Sequence, residues 1–512
     1  MLFIIAICVL IGLLYLYGTQ SYNYWKDKGV KYEKPLPFIG NAAPLFAHRV
    51  SVTTYITELY RKYPAEKYVG FYVASKTALL VKDIDLIKQV LVADFLHFYP
   101  RGLNSHDEVI EPMLKNLFFA DGDLWKLLRQ RLTPAFTSGK LKAMFPLIVE
   151  KTERLQHMAR AGAAKGAELD VRDLMARYTT DFIGACGFGI DTDSINDKNS
   201  MFRKLGKRLF NLTPRDGIVG ALKWCAPNLL KNVHALAPEI EKTTVSLVKG
   251  ILELRNYIPS GRNDFIDLLL ELKQKGKIVG ESLEKLNSDG KPLTVDLELD
   301  DMLMAAQVLV FFAAGFETSS SATSYTLHQL AFHPEAQRKC QQEIDHVLSR
   351  YDNKLCYDAV KEMKYLEMCF REGLRMFPPL GFLIRKCSRP YRFPDTNLTI
   401  DKDVIIFIPV DAIHNDDKYY KNPDQFDPER FNPENIGNIE KHVYLPFGEG
   451  PRVCIGERLG LMQSLAGLAA LLGQFTVAPG RSTRQTPLVD PASFIVQNIS
   501  GGLPLSLTSR KK

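Results

Sequence analysis

Apolar residues lie along this chain in three patterns, and each predicts a different kind of element. The first is unbroken. Residues 2–17 are apolar apart from Gly12, Tyr15 and Tyr17, and no charge occurs before Lys26. A helix of that length spans about 24 Å, short of a hydrocarbon core of ~30 Å. Continuing through Tyr22, Tyr24 and Trp25 brings it to about 37 Å and adds aromatic rings suited to a membrane interface. Lys26, Lys28, Lys31 and Lys34 follow, so the positive-inside rule predicts a single N-terminal anchor with the rest of the chain in the cytosol. A cleaved signal peptide fits less well, because no basic stretch precedes the run and no small-residue cleavage site follows. Pro35-Leu36-Pro37-Phe38-Ile39-Gly40-Asn41 then reads as a stiff hinge, since proline fixes φ and resists helix.

The second pattern is a helix that is apolar on nearly every face over residues 302–316. Thr294 is its expected N-cap, Asp296 and Glu298 complement the dipole, and His333-Pro334 stops it, giving roughly 58 Å of helix through the core. The third pattern is mixed. From about 50 to 100 helical periodicity alternates with β-rich runs such as Lys67–Val73, which predicts a small β region. Residues 273–295 are polar and rich in Lys, Gly and Glu, and read as an exposed connector rather than a domain boundary.

Composition narrows the classes. A chain of 512 residues, 46% hydrophobic and 24% charged, is an ordinary globular sequence whose length allows two or three domains. The net charge of +7 is modest for this length, which argues against a nucleic-acid binder and suits an anionic membrane surface or an acidic protein partner. Eight cysteines without a CxxC pair or regular spacing read as reduced thiols facing the cytosol. The Asn-x-Ser/Thr matches at Asn211, Asn397 and Asn498 are then expected to stay unmodified.

One of those cysteines lies in a distinctive stretch, Pro446-Phe447-Gly448-Glu449-Gly450-Pro451-Arg452-Val453-Cys454-Ile455-Gly456, which runs into an apolar helical segment from Glu457. Glycines free the backbone and leave room for a flat ligand. Cys454 sits at a helix N-terminus, where free N–H groups favour a thiolate, and a thiolate is a strong axial ligand for haem iron. A buried structural cysteine is the competing reading. Within the long helix lies Ala314-Gly315-Phe316-Glu317-Thr318. A mid-helix glycine costs about 1 kcal/mol against alanine, and a threonine hydroxyl can bond the carbonyl four residues back. Together they predict a local groove flanked by a hydroxyl and a carboxylate. Trp125 and Arg129 share one helical face, as do Glu372 and Arg375. Each pair also fits an ordinary amphipathic helix.

These motifs resemble the cytochrome P-450 family. Phe447, Gly450, Arg452, Cys454 and Gly456 fill its FxxGxRxCxG haem signature. Ala314–Thr318 fill its oxygen-activation motif, Trp125 and Arg129 its WxxxR pair, and Glu372, Arg375 and the Arg430 of Pro428-Glu429-Arg430-Phe431 its Glu-Arg-Arg network. The resemblance runs from the anchor through residue 456, and the stretches Pro100–Leu103 and Leu141–Pro146 are similar to insect, particularly moth, microsomal members that metabolise xenobiotics. It implies a mainly α fold with a minor β region: an anchor (1–25), a basic, proline-containing hinge (26–41) and one haem-thiolate domain (42–512). Haem b, ligated by Cys454, is the implied cofactor. Phe447 is implied to pack by the sulfur, Gly456 to leave room beneath the porphyrin, and Trp125, Arg129, Arg385 and Arg452 to meet its propionates. Ala314 is implied to lie against it, and Thr318 and Glu317 to handle dioxygen and protons. Glu372, Arg375 and Arg430 are implied to be structural.

By region, the resemblance implies a pocket lined by Phe118, Phe119, Phe311, Ala314, Thr318, Phe382, Leu383 and Asn498, although core packing would suit each of them. Lys126, Arg131, Lys140 and Lys142 lie where family members dock an acidic NADPH-cytochrome P-450 reductase; cytochrome b5 is a further partner, and a solvated face serves these lysines equally well. Ile218, Val219, Leu222, Trp224, Leu229 and Leu230 fall where the family dips into the bilayer, with loop burial as the equal alternative. The activity implied is monooxygenation of lipophilic compounds, xenobiotics such as insecticides and plant toxins, at the cytosolic face of the endoplasmic reticulum. Biosynthetic oxidation of an endogenous lipid or hormone is the alternative. Reductase-independent rearrangement of an oxygenated lipid is disfavoured because Glu317 and Thr318 are both present, and a haem sensor or carrier would need neither a proton relay nor a reductase face.

Overall fold

A computed structural model describes residues 2–510 except 107, 191–193, 195–196, 198–199 and 212. Met1, at the head of the expected anchor, and the two C-terminal lysines of the expected catalytic domain lie outside them. The N-terminal apolar run is helix α1 (Leu2–Thr19), along which Phe3, Ile4, Val9, Leu13 and Leu16 are exposed. Apolar side chains pointing outward are not held there by a core. Trp25, expected at a membrane interface, is instead fully buried: its indole Nε1 donates to the Phe71 carbonyl at 3.2 Å. A Cβ on Gly70 would overlap that indole.

The sheet beneath Trp25 is the β region expected near residue 70. Strands β1 (Tyr68–Val73) and β2 (Lys76–Val81) form an antiparallel hairpin with Tyr68 opposite Val81. The expected hinge is stitched to it rather than free: Tyr32 bridges Gly70, Gly40 bridges Val73, and the Tyr72 N–H donates to Asn41 Oδ1 at 2.9 Å.

Helices α2 (Gly122–Leu132), α3 (Val171–Ile183) and α4 (Pro214–Cys225) follow. The stretch expected as a plain connector holds an antiparallel hairpin, β3 (Ile278–Leu286) and β4 (Pro292–Leu297), closed by a turn in which Gly290 has φ +74°. It is largely exposed, as its polarity requires. It is also tied to α2, because Asp123 accepts from Ser282 Oγ at 2.7 Å and from the Leu283 N–H at 2.6 Å. Thr294 therefore belongs to β4, and the long helix α5 starts later, at Asp301, and ends at Phe332. Its N-cap is Asp300, whose carboxylate accepts the Leu303 N–H at 2.7 Å. The helix is about 48 Å long. It is apolar and long enough to cross a membrane, yet most of it is buried at the centre of the helical core.

Helix α6 (Lys364–Met376), strands β5 (Leu383–Lys386) and β6 (Ile405–Ile408), and helix α7 (Glu457–Leu472) complete the frame. The main sheet has the order β1-β2-β6-β5, with β6 parallel to β2 and antiparallel to β5. A three-stranded sheet made by 475–479, 504–509 and 169–170 closes the far side. The architecture is mainly helical with a small β part. Two helices lean on the middle of α5. Ile183 of α3 packs where Gly315 has no side chain, and a Cβ there would overlap it. Gly460 of α7 comes within 3.9 Å of Ser319 Oγ, measured from where its Cβ would stand.

Candidate active site

The cysteine loop is bent by its glycines. Gly448 and Gly450 have φ of +71° and +73°, and a Cβ on Gly450 would overlap the Leu91 carbonyl. Only glycine allows both the turn and that approach. The Cys454 N–H then donates back to the Phe447 carbonyl at 2.9 Å, closing the loop, and Gly456 caps α7. Leu383 on β5 lies 3.7 Å from the position of a Cβ on Gly448. Among the described residues, a Cβ on Gly456 would touch only Phe136, at 3.8 Å. Cys454 stays accessible. Surrounding protein pushes its thiol up, whereas the Gly456 N–H and the guanidiniums of Arg129 and Arg101 favour the thiolate, against the Glu457 carboxylate.

Around this loop the chain gathers guanidinium groups. Buried Arg452 donates to the Tyr99 carbonyl at 2.6 Å, the Ala120 carbonyl at 3.0 Å and Asp121 Oδ1 at 2.8 Å, and stacks over Trp125 at 4.3 Å. Arg385 on β5 donates to its neighbour's carbonyl, Ile384, at 2.8 Å. Arg101 donates to the Phe118 carbonyl at 2.8 Å and covers that ring at 4.4 Å. Asp121 is the carboxylate set among them, accepting the N–H groups of Arg101 and Gly102 at 2.7 and 3.1 Å. Burial pulls Arg101 down to about 10, although Asp121 opposes the shift. Burial and the neighbouring Arg101 pull Arg385 down to about 9, and both also lower Arg452 well below the usual range. Arg385 Nε and Arg452 Nη1 are buried without a partner among the described residues.

Two buried guanidiniums and the half-buried Arg101 facing one carboxylate, with two free buried donors, form a site short of negative charge. Two carboxylates on a flat group would answer both deficits, so the donor set fits the propionates of a haem. Arg129 is half-buried, and burial lowers it while Cys454 raises it, so it stands close enough to feel the sulfur. Arg101 and Asp121 were not singled out from the sequence. Their signal, an Arg-Gly step some 20 residues before an Asp at a helix start, gains meaning only when the fold stacks the two loops.

The groove expected in α5 is present as an interruption in burial. Ala314 is exposed and Thr318 half-exposed in a helix otherwise deep in the core, and the Thr318 hydroxyl donates to the Ala314 carbonyl at 2.6 Å. Glu317 is buried and turned the other way, paired with Arg172 at the start of α3. Arg172 also donates to Ser320 Oγ at 2.6 Å and to Asn498 Oδ1 at 3.3 Å. Arg172 was missed by the sequence reading, and Asn498 is placed with this pair.

Of the other pocket residues, Phe118 and Phe119 meet edge-on at 5.2 Å, and Phe382 packs on Phe407 at 5.7 Å. Phe311 has aromatic neighbours of its own. It is stacked on Phe265 at 4.4 Å and leans on Phe136 at 5.9 Å, on the core side of α5.

Glu372, Arg375 and Arg430 meet. Both Glu372 and Arg375 are 0% exposed and joined by two bonds of 2.8 and 2.9 Å; Arg430 Nε reaches Glu372 at 3.3 Å. Arg375 also donates to the carbonyls of His414 and Pro423, each at 2.7 Å, and His414 accepts the Leu445 N–H at 2.8 Å just ahead of the cysteine loop. On the surface, Lys140 and Lys142 are bonded to Asn263 and Asp358, both at 2.9 Å. Ile218, Leu222 and Leu229 are exposed, the last at 83%, whereas Trp224 is half-buried beneath Lys76 at 4.4 Å.

The Cytochrome P450 family model matches residues 30–503. Cytochrome P450 6B2 of Helicoverpa armigera is 39% identical over 508 residues, covering 99% of this chain and 98% of that protein. Cytochrome P450 6B1 of Papilio polyxenes is 37% identical over 513 residues and covers 100% of each. Probable cytochrome P450 6a13 of Drosophila melanogaster is 36% identical over 505 residues, covering 98% of each.

Proposed function

This chain belongs to the cytochrome P450 family, and from that premise we propose that it oxidises lipophilic xenobiotics, such as insecticides and plant toxins, at the cytosolic face of the endoplasmic reticulum. It is a cytochrome P450 monooxygenase, and the family implies a haem with cysteine ligation and electrons supplied by a reductase. When bound, haem supplies the activation of O₂, from which one oxygen enters substrate and the other leaves as water.

The chain's own residues divide the remaining work. Cys454 is the thiolate ligand, held by its loop and the Gly456 N–H. Arg101, Arg385 and Arg452 take the propionates, with Trp125 under Arg452 and Arg129 near the sulfur. Thr318 holds and passes a proton at Oγ1, the one hydroxyl on the exposed turn of α5. Glu317 supplies acid to that turn only as far as Arg172 releases it. Phe118, Phe119, Phe382 and Leu383 give the apolar wall that keeps water away and positions substrate. The observation that carries this reading is the charge-deficient arginine cluster beside an accessible cysteine.

The membrane location is supported by the outward apolar side chains of α1 and by the exposed Ile218, Leu222 and Leu229 on and after α4. The substrate class rests on the likeness to insect relatives. It is tested with full-length protein reconstituted with NADPH-cytochrome P-450 reductase and a mixed panel of insecticides, plant toxins, fatty acids and steroid precursors. NADPH-dependent oxidation of several unrelated lipophiles is expected. Turnover of one endogenous compound alone would move the assignment to biosynthesis. Absence of any NADPH-dependent product, with a normal thiolate spectrum, would favour the reductase-independent class.

A further inference from the structure

Four consecutive carbonyls of α5, those of Ala314 to Glu317, each accept a side-chain donor. Two are served from within the helix, by Thr318 Oγ1 at 2.6 Å and Ser320 Oγ at 3.0 Å. Such back-bonding recurs further along, at Thr323, Ser324 and Thr326. The middle two are different. The Gly315 carbonyl accepts from Gln463 Nε2 of α7 at 3.3 Å, and the Phe316 carbonyl accepts from Thr179 Oγ1 of α3 at 3.0 Å. Both donors are buried. Gln463 Nε2 also donates to Ser319 Oγ, while its Oε1 has no partner among the described residues. Because the Gly315 carbonyl can only accept, it fixes which end of this amide faces α5.

A carbonyl in mid-helix already accepts the N–H four residues on, here Ser319 and Ser320. A second donor from outside tilts it away from the axis and lengthens the ladder bond. Two neighbouring carbonyls of α5 are thus held by two different helices, next to the turn where Ala314 is exposed and Thr318 half-exposed.

We propose that Gln463 and Thr179 are positioning residues that clamp α5 open at 315–316 and so aim the Thr318 hydroxyl. The proposal rests on the proton role given above to Thr318. Gln463 lies nine residues after Cys454 on the helix that the cysteine loop feeds, so one rigid element sets both the sulfur and the groove. Thr179 brings the second hold from α3, the helix whose Ile183 leans on Gly315.

The test compares Gln463→Met and Thr179→Val, near-isosteric replacements without the donor, with Thr318→Val and with Ser464→Ala. Ser464 is as buried as Gln463 but has no hydrogen-bond partner among the described residues, so it controls for mutation of α7 itself. The first readout is amide hydrogen exchange of the full chain. Without the outside donor the ladder closes, so Ser319 exchange slows in Gln463→Met and Ser320 exchange slows in Thr179→Val. Simple destabilisation would speed both. The second readout is coupling, the share of NADPH electrons recovered in product, measured per molecule with a normal thiolate CO spectrum. It falls about fivefold in either variant, the factor that corresponds to losing one hydrogen bond, and stays unchanged in Ser464→Ala.

Unchanged or faster exchange at Ser319 and Ser320 overturns the clamp. So does wild-type coupling in both variants when Thr318→Val is uncoupled. If Thr318→Val itself stays coupled, the proton role assigned to Thr318 fails, and the aim assigned to the clamp fails with it. The exchange arm still decides whether the two donors hold the turn.

Discussion

Among single residues, the decisive ones are buried groups whose charge is set by their surroundings. His414 makes the point away from the reaction. It is fully buried, its Nε2 accepts the Leu445 N–H at 2.8 Å, and burial, helped by Arg375, pulls it down to about 3. The folded protein therefore keeps this ring neutral, while the unfolded chain protonates it near the usual 6.5. Between those values the unfolded state binds the extra proton, so stability is intact above pH 6.5 and declines as pH falls. At pH 5 the loss is about 2 kcal/mol. The midpoint of urea unfolding, followed by tryptophan fluorescence from pH 7 to pH 5, should fall more steeply for wild type than for His414→Gln. Parallel slopes would mean that His414 is not held neutral.

The arginine cluster follows the same physics in the same direction, with burial and neighbouring guanidiniums working against the cationic form. Arg101, Arg385 and Arg452 are held short of anions by one another, and Asp121 answers only part of the deficit. Arg452→Met should reduce haem retention through gel filtration more than Lys126→Met does, because Lys126 makes none of these contacts. Equal retention would remove the cluster from the cofactor's site.

At the scale of the element, α6 is locked to the loop ahead of Cys454 through Arg375. Arg375→Leu leaves Glu372 buried without its two charged bonds, a loss of about 3–5 kcal/mol for a buried pair broken on one side. The thermal midpoint should drop well below that of wild type, and the Glu372→Leu/Arg375→Leu double variant should recover part of the loss. A double variant worse than the single would show that Arg375 acts through its carbonyl contacts instead.

Elements were legible where the signal was local. The stop of α5 at His333-Pro334, the cysteine loop before α7 and the groove at 314–318 each depend on residues within one or two turns. The start of α5 was not legible. Thr294 is a good N-cap residue, but β3 and β4 claim it, and what holds that hairpin is Asp123, about 160 residues earlier. The packing of Phe311 was hidden for a related reason. Its helix was readable, but which face meets Phe265 depends on how a distant helix packs. Arg172 and Gln463 could not be found at all by spacing, because each acts on α5 from another element.

At the scale of the whole molecule, the N-terminal segment divides at a point that Trp25 marks. Helix α1 ends at Thr19, while Trp25 is built into the core of the main sheet. Deleting residues 2–19 should leave the unfolding midpoint near that of full-length protein and weaken sedimentation with liposomes. Extending the deletion through Trp25 should cost about 3–5 kcal/mol, the loss expected for a buried tryptophan. Equal midpoints for the two deletions would place Trp25 outside the folded domain. Binding to liposomes that survives the shorter deletion would point to Ile218, Leu222 and Leu229.

The proposed chemistry depends above all on Cys454 binding iron as a thiolate within the arginine-lined site. The measurement that meets it most directly is the CO difference spectrum of the reduced full-length protein, taken for wild type beside Cys454→His. Wild type should show the long-wavelength Soret band of thiolate ligation, and the variant a shorter-wavelength, histidine-type band in its place, with haem still bound. A thiolate band that persists in Cys454→His would rule out Cys454 as the ligand.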